Sequence, residues 1–204
     1  MAACYIVGSA PTCDRFSPKE GDLIIAADGG QTALARMGIT PHLVVGDFDS
    51  SDAPQDIPFV RHPVEKDDTD ASLAIREGAR RGFRTFALYG CVGGRIDHTL
   101  GAIQTALGAK KQGYRVFLVG EGTVGTVLMQ ESFDFAPTGT VSVFALSERA
   151  EGVTLEGLKY PLENATLTND FPLGVSNEKK EETARVSVKT GALYLIWETD
   201  NFTL

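Results

Sequence analysis

The sequence predicts an α/β domain with a mostly parallel sheet, followed by a smaller all-β domain. Over the first 120 residues, short apolar runs alternate with helical patterns, whereas β-branched and alternating runs take over after about Glu121. Strands separated by segments long enough for a crossover are typical of a parallel sheet with helices on its faces. With 204 residues, of which 43% are apolar, the chain is large enough to bury a substantial core.

The strands of the first domain are predicted from five apolar runs, which are CYIVG (4–8), LIIAA (23–27), HLVVG (42–46), FALYG (86–90) and RVFLVG (115–120). Helices are expected over residues 30–37, 69–80 and 97–112. In the last of these, Leu100, Ile103 and Leu107 form one stripe, which we expect to be buried, and Gly113 is expected to be the C-terminal cap.

The second half contains the runs TVGTVLMQ, TVSVFALS, ARVSVK and ALYLIWE, which are separated by Gly, Pro, Asn and Asp. No helical stripe accompanies them, so they predict a small antiparallel sandwich or barrel. A turn at Thr190 and Gly191 is expected to join the last two strands as a hairpin.

Charge and composition exclude several classes of protein. The chain has 27 acidic and 19 basic residues, a net charge of −8, so no basic surface for nucleic acid is expected. No apolar run reaches the roughly 20 residues that cross a bilayer, and no basic leader precedes an apolar stretch. We therefore expect a cytoplasmic protein that binds no membrane. Three scattered cysteines predict reduced thiols and no zinc site.

Acidic residues cluster between Gly46 and Asp70, with eight acids against two bases. Within this stretch, GDFDS follows a buried-strand pattern, and the carboxyl ends of parallel strands form the ligand crevice of such sheets. Asp47 and Asp49 are therefore candidate ligands for Mg²⁺ carried in with phosphates. A plain polar turn is the alternative interpretation.

Two further segments place polar residues at helix starts. In EKDDTD (65–70), Asp68 or Thr69 is a good N-cap, but three aspartates beside Lys66 also suit a metal and phosphate site. In GCVGGRIDHTL (90–100), glycines and a helix N-terminus favour phosphate, and Arg95 is positioned to bind its oxygens. Asp97 can also be explained as a helix N-cap, and His98 as a residue with a purely structural role.

Several catalytic motifs are absent from the sequence. It contains neither GxxxxGK[ST] nor a strand-following GxGxxG, which disfavours ordinary P-loop and NAD chemistry. It has no GxSxG elbow, and its cysteines lack an evident histidine partner, so covalent catalysis is not supported.

The ordered segments ADGG (27–30), GDFDS (46–50), KDDTD (66–70) and GGRIDHTLG (93–101) resemble the thiamine pyrophosphokinases of bacteria. GLKYPLEN (157–164) and GVSNE (174–178) look like the thiamine-binding β-domain of that family. The resemblance implies a Rossmann-like α/β domain over residues 1–120 that binds ATP and Mg²⁺, and a β-sandwich over residues 121–204 that binds thiamine. It also implies a homodimer with active sites at the subunit interface.

The implied reaction transfers the pyrophosphoryl group of ATP to the hydroxyl of thiamine, giving thiamine diphosphate and AMP. Matching the motifs gives three groups of site residues. The catalytic and metal-binding group is Asp47, Asp49, Asp70 and Asp97. The phosphate- and ATP-binding group is Asp28, Lys66, Asp67, Thr69, Arg95 and His98. The thiamine-binding group is Ser176 and Asn177.

Three other hypotheses stay open from the sequence. Another pyrophosphokinase, such as a hydroxymethyl-dihydropterin pyrophosphokinase, would share ATP, Mg²⁺ and the acidic cluster. A catalytically idle nucleotide- or thiamine-binding module, for example a sensor, would bind without turnover. A structural α/β domain whose aspartates only cap helices would not bind ATP with Mg²⁺.

Overall fold

The computed structural model describes residues 2–9, 17–27, 29–46, 56–61 and 68–204. The chain divides into two units. The first is Met1–Glu121 together with Thr203–Leu204, and the second is Gly122–Phe202.

Among its described residues, the first unit contains six strands, which are β1 (Cys4–Val7), β2 (Leu23–Ala27), β3 (Leu43–Gly46), β4 (Phe59–Arg61), β5 (Thr85–Tyr89) and β6 (Arg115–Val119). They lie in the order β6-β5-β1-β2-β3-β4, and each adjacent pair is parallel. The five predicted strands and the parallel sheet are therefore confirmed. The short β4 has no apolar run and was not predicted.

The central strands are buried along almost their whole length. Every residue of β1 and β3 is buried, and only the first residue of β2 and of β5 is partly exposed. Strands covered on both faces read as continuous apolar runs, which is why the sequence located them well.

Three helices of the first unit lie close to their predicted positions, and they are α1 (Gly30–Arg36), α2 (Asp70–Arg80) and α3 (Ile96–Lys111). The predicted cap at Gly113 is confirmed: its φ is +84°, its N–H bonds the carbonyl of Lys110, and the next N–H bonds that of Ala109. This pair of bonds is the Schellman motif, which a glycine in the left-handed region favours. None of the helices in the described part of the chain is long and apolar enough to span a membrane.

The predicted buried stripe of α3 is wrong. Its buried residues are Ala102, Ala106 and Ala109, whereas Leu100 is 58% exposed. The physical reason is that α3 carries apolar residues around much of its circumference, so periodicity alone does not select the buried face. Small alanines are the side chains that let a helix approach a sheet closely.

The second unit contains eight strands, which are β7 (Thr123–Leu128), β8 (Glu131–Phe135), β9 (Thr140–Ala145), β10 (Arg149–Glu156), β11 (Leu162–Thr168), β12 (Gly174–Glu178), β13 (Ala184–Val188) and β14 (Leu193–Glu198). They form two antiparallel layers in the orders β12-β9-β14-β7 and β11-β10-β13-β8. Trp197 of β14 packs against Phe133 and Phe135 of β8, with ring centroids 5.8 and 5.1 Å apart. The all-β prediction is confirmed, and the arrangement is a sandwich.

The predicted hairpin between the last two strands is wrong. Val188 of β13 pairs with Glu131, whereas Leu193 of β14 pairs with Leu128 and Ala145 in the other layer. The turn therefore carries the chain from one layer to the other. Alternation identifies a strand, but it does not identify the strand with which it pairs.

Candidate active site

A cavity of about 330 Å³ lies in the first unit. Residues at the carboxyl ends of β1, β2 and β5 line it, together with the first residues of α2 and α3. Four predicted site residues face this one cavity, namely Thr69, Asp70, Asp97 and His98. The structure therefore brings two separate sequence segments together where the strand-end argument expects a ligand.

On the α2 side, Thr69 is the N-cap, and its hydroxyl oxygen accepts a 3.2 Å hydrogen bond from the Ser72 N–H. The capping role considered for this segment is thus confirmed for Thr69. Asp70 lies in the first turn, where a carboxylate complements the helix dipole, and it also lines the cavity. Asp68, another lining residue, forms an ion pair with Arg76.

On the α3 side, the N-cap is Arg95 and not Asp97. The Arg95 guanidinium binds the Asp97 carboxylate at two points, with Nε 3.1 Å from Oδ1 and Nη2 2.5 Å from Oδ2. The Asp97 Oδ1 also accepts a 3.0 Å bond from the His98 N–H. The hydrogen bond from Arg95, assisted by that of His98, lowers the pKa of Asp97 and keeps its carboxylate ionised.

The strand ends contribute residues that sequence reasoning missed, among them Gly8 and Cys91. A Cβ on Gly8 would lie 2.7 Å from the carbonyl oxygen of Gly90, so glycine allows the segments that follow β1 and β5 to approach closely. The position of Gly8 at the carboxyl end of a predicted strand was the available signal. Burial raises the pKa of the Cys91 thiol to about 12, so it is protonated near neutral pH and is a poor nucleophile.

The donor chemistry of the cavity suits a hard cation. Asp70 and Asp97 line the same cavity. Mg²⁺ in phosphate-binding sites is typically held by one or two carboxylates, substrate phosphates and waters. Within the described ranges, no group of three or more His, Cys, Asp or Glu residues is placed to hold a metal ion by itself. The residues fit an ion that arrives with a phosphate ligand.

The remaining predicted residues of this domain lie outside the described residues. They are Asp28, Lys66, Asp67 and the GDFDS pair, Asp47 and Asp49.

In the second unit, the predicted thiamine residues lie on β12. Ser176 is exposed and has a φ of +58°, and its N–H bonds the Ser142 hydroxyl oxygen at 3.1 Å. The pairing of β12 with β9 shifts register between Gly174 and Asn177, which indicates a β-bulge at this point.

Asn177 is only 5% exposed, and its amide bonds both backbone groups of one residue. Its Oδ1 accepts from the Tyr160 N–H at 3.0 Å, and its Nδ2 donates to the Tyr160 carbonyl at 2.7 Å. The structure therefore joins the two C-terminal motifs, GLKYPLEN and GVSNE, which are separated in the sequence.

Tyr160, which lies in the first of these motifs, is 57% exposed. The Lys159 ammonium lies 5.3 Å from the centroid of its ring and bonds Glu178 Oε2 at 2.9 Å. The bond to Glu178, followed by that to Tyr160, raises the pKa of Lys159. Sequence reasoning noted the surrounding motif but missed this aromatic surface, because burial and side-chain exposure cannot be read from a short motif.

Comparison with known proteins gives matches in both units. The model described as thiamin pyrophosphokinase, catalytic domain, matches residues 18–118. The model described as thiamin pyrophosphokinase, vitamin B1 binding domain, matches residues 127–195.

Individual relatives agree with the family models. A thiamine pyrophosphokinase of Bacillus subtilis is 29% identical over 191 residues, covering 89% of each chain. The crystal structure of thiamine pyrophosphokinase from Bacillus subtilis has a TM-score of 0.87 at 28% identity, covering 97% of this chain and 99% of the other. That from Geobacillus thermodenitrificans has a TM-score of 0.85 at 29% identity, covering 99% and 100%. The chain belongs to the thiamine pyrophosphokinase family.

Proposed function

We propose that the protein transfers the pyrophosphoryl group of ATP to the hydroxyl of thiamine, releasing AMP and thiamine diphosphate. The observation that carries this proposal is that Asp70, Asp97, Thr69 and His98 line one and the same cavity in a chain that belongs to this family. A domain whose aspartates only capped helices would need none of them to face a shared cavity.

The first unit is proposed to bind the triphosphate of ATP. The first turns of α2 and α3 line the cavity, and the positive end of a helix dipole favours phosphate oxygens. Arg95 and Lys66 add positive charge, and Thr69 and His98 add polar hydrogens. Asp28 and Asp67 complete the proposed ATP-binding set. They adjoin, in sequence, two residues that line the cavity, Ala27 and Asp68.

Mg²⁺ is proposed to be held by Asp47, Asp49, Asp70 and Asp97. When bound, the ion supplies positive charge that offsets the phosphate charge and the repulsion within the acidic cluster. The ionised state of Asp97 suits this role, because a carboxylate with a lowered pKa binds cations more readily than it accepts a proton.

The transfer joins the thiamine hydroxyl oxygen to the β-phosphorus and breaks the bond from that phosphorus to the oxygen shared with the α-phosphate, which leaves with AMP. The hydroxyl proton passes to a base or to solvent. Catalysis of this kind depends on positioning and charge stabilisation and needs no covalent enzyme intermediate. The protonated thiol of Cys91 agrees with a direct transfer.

The second unit is proposed to bind thiamine at the segment that carries Ser176 and Asn177, with the exposed side chain of Tyr160 as an aromatic contact. Thiamine carries two aromatic rings, and aromatic rings stack on one another in offset arrangements. The position of Tyr160 beside the Ser-Asn pair, inside the segment matched by the vitamin B1 binding model, supports this assignment.

Further features follow from the family and are part of the proposal. We assign a Rossmann-like, ATP-binding domain to residues 1–120 and a thiamine-binding domain to residues 121–204, in a cytoplasmic homodimer with active sites at the subunit interface. The strand order of the first unit, which changes direction at β1, supports the first assignment. Exposed Phe171, Leu173 and Val175 before and within β12 support burial against a second copy.

The test is incubation of the purified protein with ATP, Mg²⁺ and thiamine, followed by chromatographic analysis of the products. Equimolar AMP and thiamine diphosphate are expected. ADP with thiamine monophosphate would indicate transfer of one phosphate and refute the proposal. A reaction with a hydroxymethyl-dihydropterin in place of thiamine would identify the competing pyrophosphokinase, and absence of turnover would leave the binding-module hypothesis.

A further inference from the structure

We infer that Asn177 is a positioning residue, which fixes the backbone of Tyr160 and does not itself contact thiamine. The inference rests on the proposed function, because it concerns how the thiamine site of that reaction is held in place. Asn177 then affects thiamine binding only by holding the Tyr160 ring in position.

The amide of Asn177 is already engaged within the protein. Its oxygen accepts from the N–H groups of Tyr160 and Glu178, at 3.0 and 2.9 Å, and its nitrogen donates to the Tyr160 carbonyl at 2.7 Å. With 5% of the residue exposed, little of this side chain is accessible to a ligand. A residue that recognised thiamine through its amide would need to leave these partners unsatisfied, which is costly for buried polar groups.

The backbone conformation before Asn177 directs its side chain toward Tyr160. The preceding residue, Ser176, adopts a left-handed conformation with φ +58°, at the register shift between β12 and β9. A bulge of this kind changes the direction of the next side chain relative to a regular strand. As a result, Ser176 stays exposed while Asn177 is buried.

The contact belongs to a longer junction between the two motifs. The Lys159 N–H donates to the Glu178 carbonyl at 2.9 Å, and the Gly157 carbonyl accepts from the N–H groups of Lys180 and Glu181 at 3.1 and 3.0 Å. These bonds hold the segment before Tyr160, while the Asn177 side chain binds Tyr160 on both sides of its Cα. Because Tyr160 is 57% exposed, its side chain has limited packing of its own to fix its position.

A double-mutant cycle with the full-length enzyme tests this role. Tyr160→Ala removes the ring, and Asn177→Asp places a carboxylate oxygen against the Tyr160 carbonyl where an N–H now donates. Each single variant is expected to raise the KM for thiamine about tenfold, with kcat and the KM for ATP within about twofold of wild type. Because both act through one ring, the double variant is expected to match Tyr160→Ala within about twofold.

Additive effects, a rise of about a hundredfold in the double variant, would overturn the inference, since Asn177 would then contribute independently of Tyr160. So would an unchanged KM in Tyr160→Ala. Glu178→Gln is the matched control, because it weakens the exposed ion pair with Lys159 and leaves the Asn177 amide bonds in place. It is expected to change the KM by less than about twofold, and an effect equal to that of Asn177→Asp would overturn the inference.

Asn177→Ser, which shortens the side chain without adding charge, replaces Asn177→Asp in the same cycle if the latter does not fold. The turnover of the wild type tests the proposed function separately. An active wild type with an additive cycle refutes only the positioning role, whereas an inactive wild type refutes the proposed function.

Discussion

Asp97→Asn is the substitution that best separates a catalytic carboxylate from a surface ion pair. The change keeps the size of the side chain and removes its charge, so it weakens the ion pair with Arg95. The Asp97 side chain is 64% exposed and that of Arg95 is 71% exposed. Ion pairs between side chains as exposed as these contribute little to stability, because water screens them. The melting temperature should therefore change little.

Activity should respond far more strongly than stability. Removing a charge-stabilising contact to the transition state typically costs about 3 kcal/mol, or roughly a hundredfold in kcat. We therefore expect Asp97→Asn to lower the production of AMP by at least about that factor at saturating ATP and thiamine.

The chain provides a matched control in Asp134, whose carboxylate binds Arg185 with Nε 2.6 Å from Oδ1. Both side chains are about half exposed, and Arg185 lowers the pKa of Asp134 as Arg95 lowers that of Asp97. Asp134→Asn should leave kcat within about twofold of wild type. If the two variants were equally active, whether both kept or both lost the wild-type activity, the assignment of Asp97 to the active site would be refuted.

Three further predictions concern stability. Gly108→Ala should stabilise α3 by about 0.5–1 kcal/mol, because the new Cβ would enter open space. Gly78→Ala should destabilise α2, because its Cβ would lie 2.8 Å from an aromatic carbon and 2.9 Å from the Cys4 sulfur. Urea denaturation measures both changes in the free energy of unfolding. Ser176→Gly should raise the unfolding free energy by about 1 kcal/mol relative to Ser176→Ala, since φ is +58°, and equal stabilities would contradict this. Burial raises the pKa of the Cys4 and Cys91 thiols to about 12. Their contribution to the free energy of unfolding is therefore complete below the pKa of an unfolded cysteine, about 8.5, and is lost as the pH rises toward 12. A free energy of unfolding that stays constant from pH 8 to pH 11 would contradict this prediction.

The sequence predicted those parts of the fold that depend on local pattern. Continuous apolar runs located the buried parallel strands, and Thr69 and Gly113 located helix ends, because capping depends on the residue at one position. The hairpin at Thr190 and the buried face of α3 failed for a different reason. Both depend on which element packs against which, and that choice involves residues distant in the chain.

The candidate site shows the same division. Asp70 and Asp97 were expected at one edge of the sheet, because parallel strands end there, and the structure brings them to one cavity. The burial of Asn177 and the exposure of Tyr160 could not be predicted, since both result from a bulge and a contact between strands far apart in sequence.

The central claim is that side-chain carboxylates around the cavity of the first unit bind ATP together with a divalent ion. Isothermal titration calorimetry with α,β-methylene ATP, an analogue whose scissile bond is blocked, tests it directly. We predict one site per chain for the wild type, binding that requires Mg²⁺, and loss of that binding in the Asp70→Asn, Asp97→Asn double variant. Undiminished binding by the double variant, or equal binding in EDTA, would contradict the claim.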